Sequence, residues 1–237
     1  MVAPFSPAWR QVLLEDFDLY KRIPEPLQRR LEGLVTVFID EKVFLGRNGF
    51  EVSDRARVLV AAQACLLIIN NANKFYPGFE TILIYPDTYA APVSRQDGPI
   101  RTSDVDSRAG ESWHRGPVIL AWDHVLQGGR DSRDGHNVVM HEFAHKLDEE
   151  NYYMDGLPIL SDNSQYQSWK EVLTREYDRL RLHRDDVIDA YGANSPAEFF
   201  AVVTEAFFEK PKQLRQKHPA LYEQFQHYYQ VDPSVWE

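Results

Sequence analysis

Apolar residues recur at helical spacing in some stretches of this chain and gather in short strand-length runs in others. Residues 26–41 (PLQRRLEGLVTVFIDE) place Leu27, Leu31, Leu34, Val35 and Phe38 on one face of a helix. KVFLGRNGF is short, apolar and broken by glycines, which predicts a small strand or turn. Ser53 can cap a helix running to about Asn71, and the middle of that segment is apolar nearly all round, the pattern of a buried helix. FETILIYP (79–86) and GPVILAW (116–122) are β-branched and aromatic runs bounded by Pro or Gly, and both predict strands. The intervening 87–115 is polar and turn-rich and predicts a long surface loop; LQGGRDSRDGHN is a second turn-rich segment. Further helices are predicted over about 136–149, over 163–185, from Ser195-Pro196 to about Phe208, and from Pro219 to about Gln230. Residues 1–25, interrupted by prolines, predict an irregular lead-in. No linker, repeat or low-complexity tract divides 26–237. The expectation is one α+β domain, mostly helical with a small mixed sheet.

Composition narrows the picture. At 237 residues and 43% hydrophobic, the chain can build a sizeable core and is not intrinsically disordered. Its net charge of −10 disfavours broad binding to nucleic acid or anionic membrane, since both need a basic surface. The single cysteine, Cys65, sits in AAQACLLIIN and reads as a buried small hydrophobe, consistent with a reducing compartment. The first twenty residues show no basic region followed by an apolar core, and no apolar run reaches transmembrane length. A cytoplasmic location, with neither membrane nor direct nucleic-acid partners, is expected.

The segment VVMHEFAHKLDEE carries the chemistry. His141-Glu142-Phe143-Ala144-His145 is an H-E-x-x-H pattern on a predicted helix, and its histidines lie one turn apart on one face. Two imidazoles so placed can bind one Zn²⁺. Glu142 can face the nucleophilic water without being a ligand. Val139, Met140, Phe143, Ala144 and Leu147 fall on the opposite, core-facing side. The plainer reading has the polar face simply meeting water. Asp148, three residues after His145, is either a partner for an imidazole or a solvated acid.

A catalytic zinc site usually takes three protein ligands. The extension H-E-x-x-H-x-x-G-x-x-H is broken, because Asp148 and Asn151 stand where it needs Gly and His. A carboxylate from SPAEFFAVVTEAFFEK is the other solution, and it offers Glu198 and Glu205. Seven residues apart, they share a helix face but are separated by ~10 Å along the axis, so both cannot bind one ion. Glu198 also completes an S-x-x-E capping box with Ser195. Glu205 is embedded in apolar sequence, where a glutamate needs a partner. These residues alone leave the choice open.

EKVFLGRNGFEVSDRARVLVAAQACLLIIN, TILIYP, SWHRGPVILAW, HEFAHKLDEEN and DAYGANSPAEFFAVVTEAFF resemble the Mlc titration factor A family of zinc peptidases. The last string also resembles the catalytic helix of anthrax lethal factor. The resemblance implies a zincin-like fold and His141, His145 and Glu198 as zinc ligands. It implies Glu142 as the proton acceptor and Tyr191 as a hydrogen-bond donor to the developing oxyanion. Glu205 is then left to support a ligand or to pack. The edge strand GPVILAW is implied to pair with an extended substrate.

Three functions follow from that resemblance and the motif. The first is a zinc-dependent, aminopeptidase-like enzyme acting on peptides or small aminoacyl substrates. The second is a regulator that sequesters a glucose-responsive transcriptional repressor. The third is a zinc hydrolase for esters or non-peptide amides. Nucleotide-binding glycine loops are lacking, the acidic loop Asp131–Gly135 lacks a calcium-loop pattern, and no serine or cysteine nucleophile motif is present.

Overall fold

A computed structural model of the chain describes residues 5–71, 75–87 and 116–236. Chain order is α1 (Pro7–Asp16), α2 (Asp18–Arg22), α3 (Glu25–Glu41), β1 (Val43–Gly46), α4 (Asp54–Leu66), β2 (Thr81–Tyr85) and β3 (Val118–Ala121). Then follow α5 (Trp122–Arg130), α6 (Val138–Asp148), α7 (Gln165–Leu182), α8 (Pro196–Glu209), α9 (Pro211–Lys217) and α10 (Pro219–Tyr229). The predicted helices and the three short strands are present. So is the α+β balance, with helices dominant.

The sheet departs from the expected mixed form. Its order is β1-β2-β3 and both pairs are parallel, with Val43 opposite Thr81 and Ile82 opposite Val118. The reason is the route between strands: β1 reaches β2 through α4, and a helical crossover returns the chain in the same direction. The N-terminal lead-in is also corrected, because α1 and α2 occupy most of residues 1–25. Proline there starts helices rather than preventing them. Pro7 occupies the first turn of α1, where a missing N–H costs nothing.

Two short helices were not anticipated. α9 covers Pro211–Lys217, and α5 takes in the first residues of the turn-rich LQGGRDSRDGHN. Gly129 belongs in α5 because a Cβ there would lie 2.5 Å from the Asp16 carbonyl oxygen and 3.0 Å from Leu59. Helix propensity yields to close packing at that position. The 87–115 segment, apart from Asp87, lies outside the described residues.

α4 is the buried helix its composition predicts, with Val58 through Leu66 fully enclosed and Cys65 among them. Ser53 caps it by accepting from Ala56 N–H. α6 buries the predicted apolar face. Phe143 meets Phe38, Tyr76 and Phe79 at ring-centroid distances of 5.7, 4.9 and 5.5 Å. α8 is enclosed almost completely, its phenylalanines packing on α7 and α10 through Trp169, Tyr222, Phe225 and Tyr229. Among the described residues, no helix is long and apolar enough to cross a membrane.

The N-terminal helices are tied to this body by charge. Asp16, at the end of α1, is buried and accepts two hydrogen bonds from Arg55 at 2.6 and 2.8 Å and one from Arg130 at 2.9 Å. Arg55, with help from Arg130, holds the Asp16 carboxyl below its usual range against the opposing pull of burial. Replacing Asp16 with Ala leaves both guanidiniums without this partner. Chemical denaturation should show a loss of about 2–3 kcal/mol, the usual worth of charge-assisted bonds. Because the native pKa is lowered, that contribution is present above about pH 4 and is lost as pH falls toward the native value. The difference between parent and Asp16→Ala stabilities should therefore shrink in acid.

Candidate metal centre

Asn137 begins the site by capping α6, its Oδ1 accepting from Met140 N–H at 3.0 Å. From that start, helical spacing carries His141 and His145 to the face opposite Phe143. α8 begins at Ser195, whose hydroxyl accepts from Glu198 N–H at 3.2 Å. The serine half of the predicted capping box is therefore formed. The Glu198 carboxylate turns toward the histidines instead, with Oε2 3.0 Å from His141 Nε2 and 3.5 Å from His145 Nε2. The two Nε2 atoms are 3.2 Å apart.

These three atoms form a nearly equilateral triangle. A tetrahedral zinc ion at ~2.0–2.1 Å from each donor sets the donors roughly 3.3–3.4 Å apart. The observed edges of 3.0, 3.2 and 3.5 Å fit that requirement. The donor chemistry, two imidazoles and one carboxylate, also suits zinc. Among the described residues, this is the one group of His, Cys, Asp and Glu side chains close enough to hold an ion.

Glu205 does not enter the triangle. It lies behind His141, its Oε1 2.8 Å from Nδ1, while Oε2 accepts from Asn137 N–H. A carboxylate only accepts, so Nδ1 donates to Glu205 and Nε2 donates to Glu198, and a metal would bind Nε2 by displacing that second proton while Glu205 keeps the first. Asp148 stands elsewhere: its Oδ2 accepts from Gly156 N–H at 2.8 Å. Its Oδ1 and the His145 Nδ1 are both buried without a hydrogen-bond partner among the described residues. Gly156 is required beside them, since its φ is +75° and a Cβ would lie 2.5 Å from the Pro196 carbonyl oxygen. Tyr191 sits in a 3-10 turn, Ala190–Ala193, just ahead of α8. Its ring centroid is 6.0 Å from that of His141.

Electrostatics follow from burial and pairing. Burial pulls the His141 pKa down, but the Glu198 and Glu205 carboxylates outweigh it and lift the value to about 10. Burial raises Glu198, yet the two histidines dominate and bring it to about 2. Glu142 is half-buried, and its pKa is pushed up by desolvation against the pull of His141 and His145. Asp148 is raised to about 6 by burial, opposed by the Gly156 N–H. Of these site-building residues, sequence reasoning missed Asn137. Its signal was an Asn immediately before an apolar helical run, the ordinary mark of a cap.

The profile of the family described as glucose-regulated metallo-peptidase M90 matches residues 1–230. The uncharacterized protein slr2042 of Synechocystis sp. is 38% identical over 238 residues, covering 98% of this chain and 86% of the relative. Mlc titration factor A of Yersinia pestis (strain Pestoides F) is 31% identical over 243 residues, covering 97% of this chain and 87% of the relative. The likeness seen in separate motifs thus extends along the whole chain, and the family brings with it metal-dependent peptidase chemistry. The chain belongs to the glucose-regulated metallo-peptidase M90 family.

Proposed function

We propose that the protein is a zinc-dependent peptidase of aminopeptidase-like action, working in the cytoplasm on peptides or small aminoacyl amides. The observation that carries this reading is the donor triangle of His141 Nε2, His145 Nε2 and Glu198 Oε2. A bound zinc ion there would act as a Lewis acid, lowering the pKa of water toward ~7 and polarising the scissile carbonyl. Glu142 takes the proton from the attacking water and delivers it to the leaving amine. Burial lifts its pKa above the ordinary carboxylate value, against the pull of His141 and His145. Tyr191, beside His141, donates its hydroxyl proton in a hydrogen bond to the oxyanion.

The remaining residues orient the donors. Glu205 fixes the tautomer of His141. Asp148 follows His145 by three residues on α6, and its Oδ2 is held by the Gly156 N–H. β3 pairs with β2 along one edge and packs beside α6. An extended substrate added to its other edge would lie next to the metal helix, with main-chain bonds for affinity.

A second reading is regulatory, on the strength of the relative named Mlc titration factor A. In it the chain sequesters a transcriptional repressor and the zinc site is secondary. Glu142 favours the enzymatic reading, because a purely structural site has no use for an unliganded carboxylate beside the donors.

Two measurements test the assignment. Glu142→Gln should retain about one zinc per chain and lose roughly 10²–10⁴-fold in kcat, the range for a general base; parent-like turnover by this variant rejects the proton-transfer role. Metal content of the purified chain should fall to near zero in Glu198→Ala. Glu205→Ala should still bind zinc, with affinity weakened about 10–100-fold. The reverse order would exchange the roles of the two glutamates.

A further inference from the structure

α8 carries a third carboxylate in line with the first two. Glu198, Glu205 and Glu209 stand at i, i+7 and i+11, so at 100° per residue they fall within about 40° of one another on one stripe. Each meets a different level of α6 and its approach. Glu198 faces both His141 and His145, and Glu205 spans His141 and Asn137. Glu209, 3% exposed, accepts from Gly135 N–H at 3.0 Å through Oε2 and from Asn137 Nδ2 at 3.2 Å through Oε1. The two helices therefore run antiparallel, with the last turn of α8 holding the entry to α6.

Asn137 is the hub of this arrangement and is fully buried. Its Oδ1 caps α6, its backbone N–H reaches Glu205, and its Nδ2 is shared between the Gly128 carbonyl of α5 and Glu209. A shift of α6 along its axis relative to α8 would break all of the α8 bonds together. The same shift would carry the histidine nitrogens away from Glu198 Oε2.

The geometry assigns Glu209 the part of a positioning residue for the metal centre: through Asn137 it sets the register of α6 on α8, and so the separation of the histidine pair from Glu198. This inference rests on the metal-binding reading above. Glu209 touches no reacting atom. What it governs is how well the three donors are placed before an ion arrives.

The test is zinc affinity, measured on the full-length zinc-loaded protein by chelator competition, together with the thermal midpoint of each variant. Glu209→Ala should weaken zinc binding about 10–100-fold, as loss of outer hydrogen-bond partners does elsewhere. Glu209→Gln keeps one acceptor, which can hold the Asn137 Nδ2 bond while its NH2 meets the Gly135 N–H, so its zinc affinity should fall between those of the parent and Glu209→Ala. Asn137→Ser retains a capping oxygen but lacks the Nδ2 donor, so it breaks the same link from the other side. It should weaken zinc similarly, and the double variant should be no weaker than the weaker single one, because both remove one coupling. If Glu209→Ala does not fold, Asn137→Ser carries the test alone. Glu32→Ala, which removes a buried carboxylate bonded to Arg10 and Tyr20 outside the α6–α8 pair, should lower the midpoint and leave zinc affinity unchanged. Parent-like zinc affinity in folded Glu209→Ala and Asn137→Ser overturns the inference, as does equal weakening by Glu32→Ala. Failure of the parent chain itself to bind zinc overturns the metal reading instead.

Discussion

Glu205 is a carboxylate with almost no access to water, and a charge so placed is tolerated only when other groups replace its solvation. The chain supplies two, the Asn137 N–H and the Nδ1 proton of His141, both from the first turn of α6 and its cap. The requirement works in both directions. α6 cannot slide along α8 without stranding the carboxylate, and Glu205 cannot turn away without releasing the imidazole. Glu198 lies seven residues earlier on α8, about 10 Å back along the axis, and so falls opposite the two Nε2 atoms. The triangle of candidate donors thus follows from how one buried acid is satisfied.

Aromatic packing secures the same register from outside. Phe143 locks the far face of α6 into Phe38, Tyr76 and Phe79, while the α8 phenylalanines interleave with Trp169, Tyr222, Phe225 and Tyr229. Interiors at this density resist small displacements, so the polar stripe between the helices stays aligned. The aromatic surroundings also lower the local dielectric and strengthen each charge interaction within the stripe. The lifted pKa of His141 and the depressed pKa of Glu198 are two expressions of one attraction.

Much of this was legible in the chain itself. The H-E-x-x-H spacing placed two imidazoles on one face, and the apolar residues between them marked the face that α6 buries. Ser53 and Ser195 announced the helices they cap. The stripe of Glu198, Glu205 and Glu209 was also written at helical spacing, although only its first two members stood out. The local reading failed where long-range packing overrode it. Gly128 and Gly129 read as a turn but lie in α5, where Gly128 packs tightly on Asn137 and a Cβ on Gly129 would meet the Asp16 carbonyl oxygen at 2.5 Å. The early prolines read as breaks but Pro7 lies at a helix start, and β1 runs parallel to β2 because a buried helix crosses between them.

Residue types and their periodicity determined which groups could do chemistry and on which helix face each would lie, since a face is set within one or two turns of backbone. They also determined that α4 would be buried. They could not decide between Glu198 and Glu205, because that choice depends on the relative register of two helices whose partners stand 57 and 64 residues apart. Only the docked structure sets that register, through side-chain packing and the solvation demand of buried carboxylates, and neither is encoded within any single segment.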